Sequence, residues 1–105
     1  MTDMLSAFQK DILPHLVDEI GAEQILLFGS VAKGTAKEDS DLDIIIVADL
    51  FESMSFLERM PYLLKRYPFK WHIDYLCYSP SEFKRISTIS SIVRDALDNG
   101  IFLVS

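Results

Sequence analysis

A single cysteine, Cys77, excludes an internal disulfide, and no apolar run approaches the roughly 20 residues that a membrane span requires. Basic residues are also scarce. Ten Lys and Arg stand against sixteen Asp and Glu, a net charge of -6, which argues against a protein whose main task is to clamp a nucleic-acid backbone. No direct nucleic-acid partner and no membrane are expected, and a basic protein partner suits the charge better. Met1 to Ser6 lack the charged and apolar pattern of a secretory leader, so the cytoplasm is the expected compartment. Repeats, linkers and low-complexity tracts are absent.

What the chain has in quantity is apolar surface. Hydrophobic residues make up 50% of its 105 positions, more than one small core needs, so some of that surface is expected to face a partner or a second copy. The length fits one domain, residues 1–105, with no room for a second.

Met4, Phe8, Ile12, Leu16 and Ile20 recur every four positions, the stripe of an amphipathic helix. Pro14 interrupts it, predicting a kink or a restart capped by Asp11. Gln24 to Phe28 and Asp41 to Val47 are continuously apolar or nearly so and read as strands buried on both faces. Met54, Leu57, Met60, Leu63 and Leu64 predict a helix that Pro61 threatens, and Pro68 separates it from a third strand, His72 to Tyr78. Ser79-Pro80-Ser81-Glu82 has the form of a capping box with proline at the first helical position. The helix it opens should break near Ser87-Thr88 and end at Gly100, before a last strand from Ile101 to Val104. The order predicts an α+β fold: a small mixed sheet with helices packed mainly on one face, strands two and three parallel or antiparallel.

Chemistry is concentrated in Gly29-Ser30, ten residues, then Asp41-Leu42-Asp43. On a strand, residues two apart share a face, which sets the Asp41 and Asp43 alpha carbons about 6.7 Å apart, a gap that one divalent ion can bridge. Oxygen donors favour magnesium or manganese. A lone D-x-D carries little weight, since ten aspartates in 105 residues should produce about one by chance, but a preceding Gly-Ser at a fixed distance lowers the expectation to roughly a few in a thousand. Asp74, on the third strand, is placed to join the pair as a base or a further metal ligand. Gly29 would let backbone approach a phosphate, Ser30 would donate its hydroxyl and Lys33 adds positive charge. Ser40 would contact a triphosphate or orient the loop. His15, His72, Trp71 and Cys77 read as structural or surface residues.

Leu27-Phe28-Gly29-Ser30-Val31-Ala32-Lys33-Gly34, continued by Ser40-Asp41-Leu42-Asp43-Ile44, resembles the signature of minimal nucleotidyltransferases of the DNA polymerase beta superfamily. Its G-S-x10-D-x-D form resembles the MNT antitoxins that accompany HEPN ribonuclease toxins. The resemblance implies catalytic and metal-binding roles for Asp41, Asp43 and Asp74, and nucleotide contacts at Gly29, Ser30, Lys33 and Ser40. It also implies Mg2+ (or Mn2+) as cofactor, ATP as substrate, and transfer of AMP to a tyrosine of a HEPN toxin. The family often carries a basic residue where this chain has Val31 and arginine where it has Lys33, which implies weaker or differently tuned triphosphate binding. A different reading is a non-catalytic antitoxin that neutralises its partner by occlusion.

Overall fold

A computed structural model describes residues 2–37 and 39–105, with side chains from Met4 onward. The apolar stripe forms two helices, α1 (Thr2–Asp11) and α2 (Leu13–Asp18), and all five stripe residues are buried. The helix restarts at Leu13, and Pro14 is tolerated because it sits in the first turn of α2, where its missing N–H leaves no bond unmade. Asp11 does not cap that restart. It remains the last residue of α1, and Ile12 takes the cap position without a side-chain bond.

Next come β1 (Gln24–Phe28), α3 (Gly29–Lys33) and β2 (Leu42–Val47), followed by a 3-10 turn (Asp49–Ser53) and α4 (Phe56–Arg66). The chain closes with β3 (Ile73–Tyr78), α5 (Pro80–Ile86), α6 (Ser91–Asn99) and β4 (Ile101–Val104). The four strands form one mixed sheet in the order β3-β2-β1-β4. β1 runs antiparallel to β2 and β4, whereas β2 and β3 are parallel, the α4 crossover providing the long connection that parallel pairing needs. Pro61 lies inside α4 without ending it. Two strands start one residue later than the pattern predicts: Asp41 and His72 stand just before β2 and β3.

The continuous apolar runs are explained by burial on both sides. Ile25, Leu27, Ile44, Ile46, Ile73 and Tyr75 meet α1, α2 and the Leu63 side of α4 in the larger core. Leu26, Ile45 and Val47 point the other way, onto Val93 and Ala96 of α6, with Phe83 and Ile86 of α5 at the margin. Helices thus pack mainly on one face, as expected, while α5 and α6 shield part of the second.

Two polar details fix where these helices lie. Arg59 of α4 is almost wholly buried; its guanidinium donates to the Met54 and Cys77 carbonyls and forks onto both Glu82 carboxylate oxygens at 2.6 and 3.1 Å. Glu82 also completes the capping box by accepting from the Ser79 amide, so one carboxylate serves α4 and α5 together. At the other end of α6, Gly100 passes so near its neighbours that an added Cβ would lie 2.3 Å from the Ala96 carbonyl oxygen and 2.7 Å from that of Leu27. Only hydrogen fits there.

Candidate active site

Parallel pairing of β2 and β3 sets Asp43 directly opposite Asp74, with backbones about 4.8 Å apart. Asp41 joins them from the approach to β2. One ligand atom from each of Asp41, His72 and Asp74 falls within 4.8 Å of the others. His72 Nδ1 lies 3.2 Å from Asp41 Oδ2, and both side chains are well exposed. The sheet therefore brings together the three carboxylates singled out in the sequence, and adds an imidazole.

The electrostatics of this cluster favour a cation. Partial burial raises the Asp43 carboxyl above its ordinary range, and repulsion from Asp74 and then Asp41 raises it further, with His72 opposing. Converging carboxylates with this strain fit a divalent ion held by hard oxygen donors, and the His72 nitrogen is a ligand that manganese accepts more readily than magnesium.

Gly29, the glycine of the motif, is required by its approach to Asp43. Its backbone is left-handed, φ 73°, and a Cβ would stand 2.2 Å from Asp43 Oδ2. Gly29→Ala therefore adds a left-handed strain of about 1–2 kcal/mol and pushes the Asp43 carboxylate out of place. Both melting temperature and nucleotide transfer are expected to fall. An alanine variant equal to wild type in the two measurements would show that the close approach is dispensable.

Gly29 also begins α3, a short helix where the sequence pattern predicted none. Ser30 is in that turn, where its carbonyl accepts from the Thr35 amide at 3.0 Å. Lys33 ends it and pairs with Asp95 of α6, Nζ to Oδ2 3.1 Å, so its ammonium is tethered across to the second helix layer. Ser40 Oγ accepts from the Lys37 amide at 2.7 Å, which orients the loop before Asp41. Glu38, in the same loop, lies outside the described residues.

His72, read as structural or surface, is exposed, and it stands beside the carboxylates because it lies two residues before Asp74 on an extended segment and shares that residue's face. Beside the carboxylates lies a cleft of about 420 Å³, lined by Asp43 and Asp74 together with Phe56, Leu57 and Met60 of α4 and Ile92 of α6. Among the described residues no helix is long and apolar enough to cross a membrane.

The chain and its fold have relatives. A Methanocaldococcus jannaschii protein named "putative protein adenylyltransferase" is 29% identical over 97 residues, 92% of this chain and 91% of its own length. The crystal structure of a putative nucleotidyltransferase from Sulfolobus solfataricus superposes with a TM-score of 0.66 at 24% identity, covering 96% of this chain and 79% of that one. A second such crystal structure gives 0.55 at 27% identity, covering 78% and 89%. The nucleotidyltransferase domain family matches residues 9–103, nearly the whole chain, and takes in the Gly-Ser turn and all three aspartates. The chain belongs to that family and is an enzyme of the nucleotidyl-transferring class.

Proposed function

We propose that this enzyme transfers AMP from ATP to a tyrosine hydroxyl of a partner protein, a HEPN-type toxin, and so acts as an antitoxin. The observation that carries the reading is the convergence of Asp41, Asp43 and Asp74 beside a glycine turn that has no side chain to block a phosphate. The protein-adenylylating name of the M. jannaschii relative supports a protein acceptor, as does the excess of apolar surface.

Asp41, Asp43 and Asp74 would hold magnesium, or manganese, with His72 available at the margin. The bound cation would neutralise the triphosphate and make the acceptor hydroxyl easier to deprotonate. Gly29 and Ser30 would place backbone and hydroxyl donors against the phosphates, as α3 opens there. Lys33 would contribute charge from its position beside Asp95, and Ser40 would hold the loop that carries Asp41. Asp74, the most exposed of the three carboxylates, is the group best placed to receive the acceptor proton.

Incubation with the protein encoded by the adjacent gene, Mg2+ and ATP labelled at the α-phosphate should label that protein. Asp41→Ala should abolish that labelling. Undiminished labelling by the Ala variant, or none by the wild-type enzyme, would overturn the reading.

A further inference from the structure

α3 carries one full positive charge, that of Lys33, and places it one turn beyond Gly29. The Cα–Cβ bonds of a helix tilt toward its N-terminus, so the lysine stem leaves the backbone in the direction of the glycine turn. Aim is the difficulty. A lysine ammonium is a point charge on a long flexible stem, and this side chain is 46% exposed, so packing alone does not fix where its charge stands.

Asp95 supplies the missing constraint. Its Oδ2 meets Lys33 Nζ at 3.1 Å, while its Oδ1 accepts from the Asn99 side-chain amide at 2.8 Å, one turn further along α6. Each carboxylate oxygen has its own partner, which limits rotation of the group. Bonds to Lys33 and then Asn99 hold the Asp95 carboxyl below its ordinary range, so it is ionised at neutral pH. The brace also stands on firm ground, because Val93 and Ala96 on either side of Asp95 are buried against Leu26 and Ile45 of the sheet. An ion pair between two half-exposed groups adds little to folding stability. Placement of the ammonium is what it provides.

Resting on the transfer reading above, in which Lys33 meets the triphosphate, we propose that Asp95 is the positioning residue of the triphosphate site, acting through Lys33 and touching no substrate itself. An ammonium has three hydrogens, so one given to Asp95 leaves two for phosphate oxygens. The conformational entropy of the lysine is then lost on folding instead of on binding, which leaves more of the attraction between ammonium and phosphate as affinity. A carboxylate that merely offset the lysine charge would act in the opposite sense, since its removal would free the cation to attract the triphosphate more strongly. The two roles differ in sign.

Calorimetric binding of Mg2+-ATP to the full chain separates them, in wild type, Asp95→Asn, Lys33→Met and the double variant. Asp95→Asn keeps the side-chain shape at a half-exposed position, and the ligand-free melting temperature should hardly move. Its dissociation constant for Mg2+-ATP should rise about fivefold, and that of Lys33→Met about tenfold or more. In the double variant the constant should match that of Lys33→Met alone, because a residue acting only through the lysine then has nothing left to position. An affinity in Asp95→Asn equal to wild type or tighter, or the same loss with and without the lysine, would overturn the assignment. Should the binding pattern hold while no protein is labelled from ATP, Asp95 keeps its role in triphosphate binding and the transfer reading alone fails.

Discussion

Asp43→Asn is expected to lower nucleotidyl transfer about a thousandfold, on the order of 4 kcal/mol of transition-state stabilisation, while making the metal-free protein harder to melt. The two effects share one cause. Asp43 is partly buried and faces Asp74 across the parallel ladder, with Asp41 nearby, so its negative charge is unfavourable until a cation arrives. Its folded-state pKa is raised. The favourable protonated form is therefore fully present below the ordinary aspartate range and is lost as pH rises through the raised value. In a chelating buffer at neutral pH the Asn variant should melt above wild type, and the gap should close as the solution is acidified. Adding Mg2+ and ATP should reverse the order, since ligand binding stabilises only a competent site. Equal melting shifts on addition of Mg2+ and ATP, or unreduced transfer by the variant, would contradict the placement of this carboxylate in the site.

Arg59→Met should destabilise the protein by about 3 kcal/mol, read as a fall in melting temperature of about 12 °C or more. Methionine fills much of the volume. It leaves the Met54 and Cys77 carbonyls without their donor and Glu82 without its forked partner. The same contact makes wild-type stability acid-sensitive. The Arg59 guanidinium, with help from the Ser79 amide and against some desolvation, holds the Glu82 carboxyl down to about 2 from an ordinary 4.5. A depressed folded pKa contributes stability that is complete above about 4.5 and disappears as pH falls toward about 2. Wild type should lose stability steeply over that interval, and Arg59→Met should lose less. Parallel pH profiles for the two proteins would show that the pair contributes little.

The sequence made β1 and β2 legible because burial on both faces leaves continuous apolar runs; Gln24–Phe28 has the predicted bounds, as does the half-exposed Ile101–Val104. Ser79 to Glu82 was equally clear, since its capping chemistry is local. The relative direction of β2 and β3 was not, because direction depends on how α4 crosses the sheet and no residue of either strand encodes it. α3 was invisible for another reason: five residues beginning with a left-handed glycine carry no helical periodicity. In the site, the spacing of Gly29, Asp41 and Asp43 was readable, whereas the Lys33–Asp95 pair joins residues 62 positions apart and could be seen only in three dimensions. The buried Arg59 looked like any charged helical residue until Glu82 was placed against it.

Gly100 sits at one end of α6, pressed between two carbonyl oxygens, and that helix is nine residues long, about 13 Å. Near its opposite end stands Ile92, and between the two Asp95 grips Lys33. A Cβ at position 100 would meet those two oxygens, and because Val93 and Ala96 pack α6 onto the sheet the helix could give way only by loosening that packing, which also sets where Ile92 and Asp95 stand.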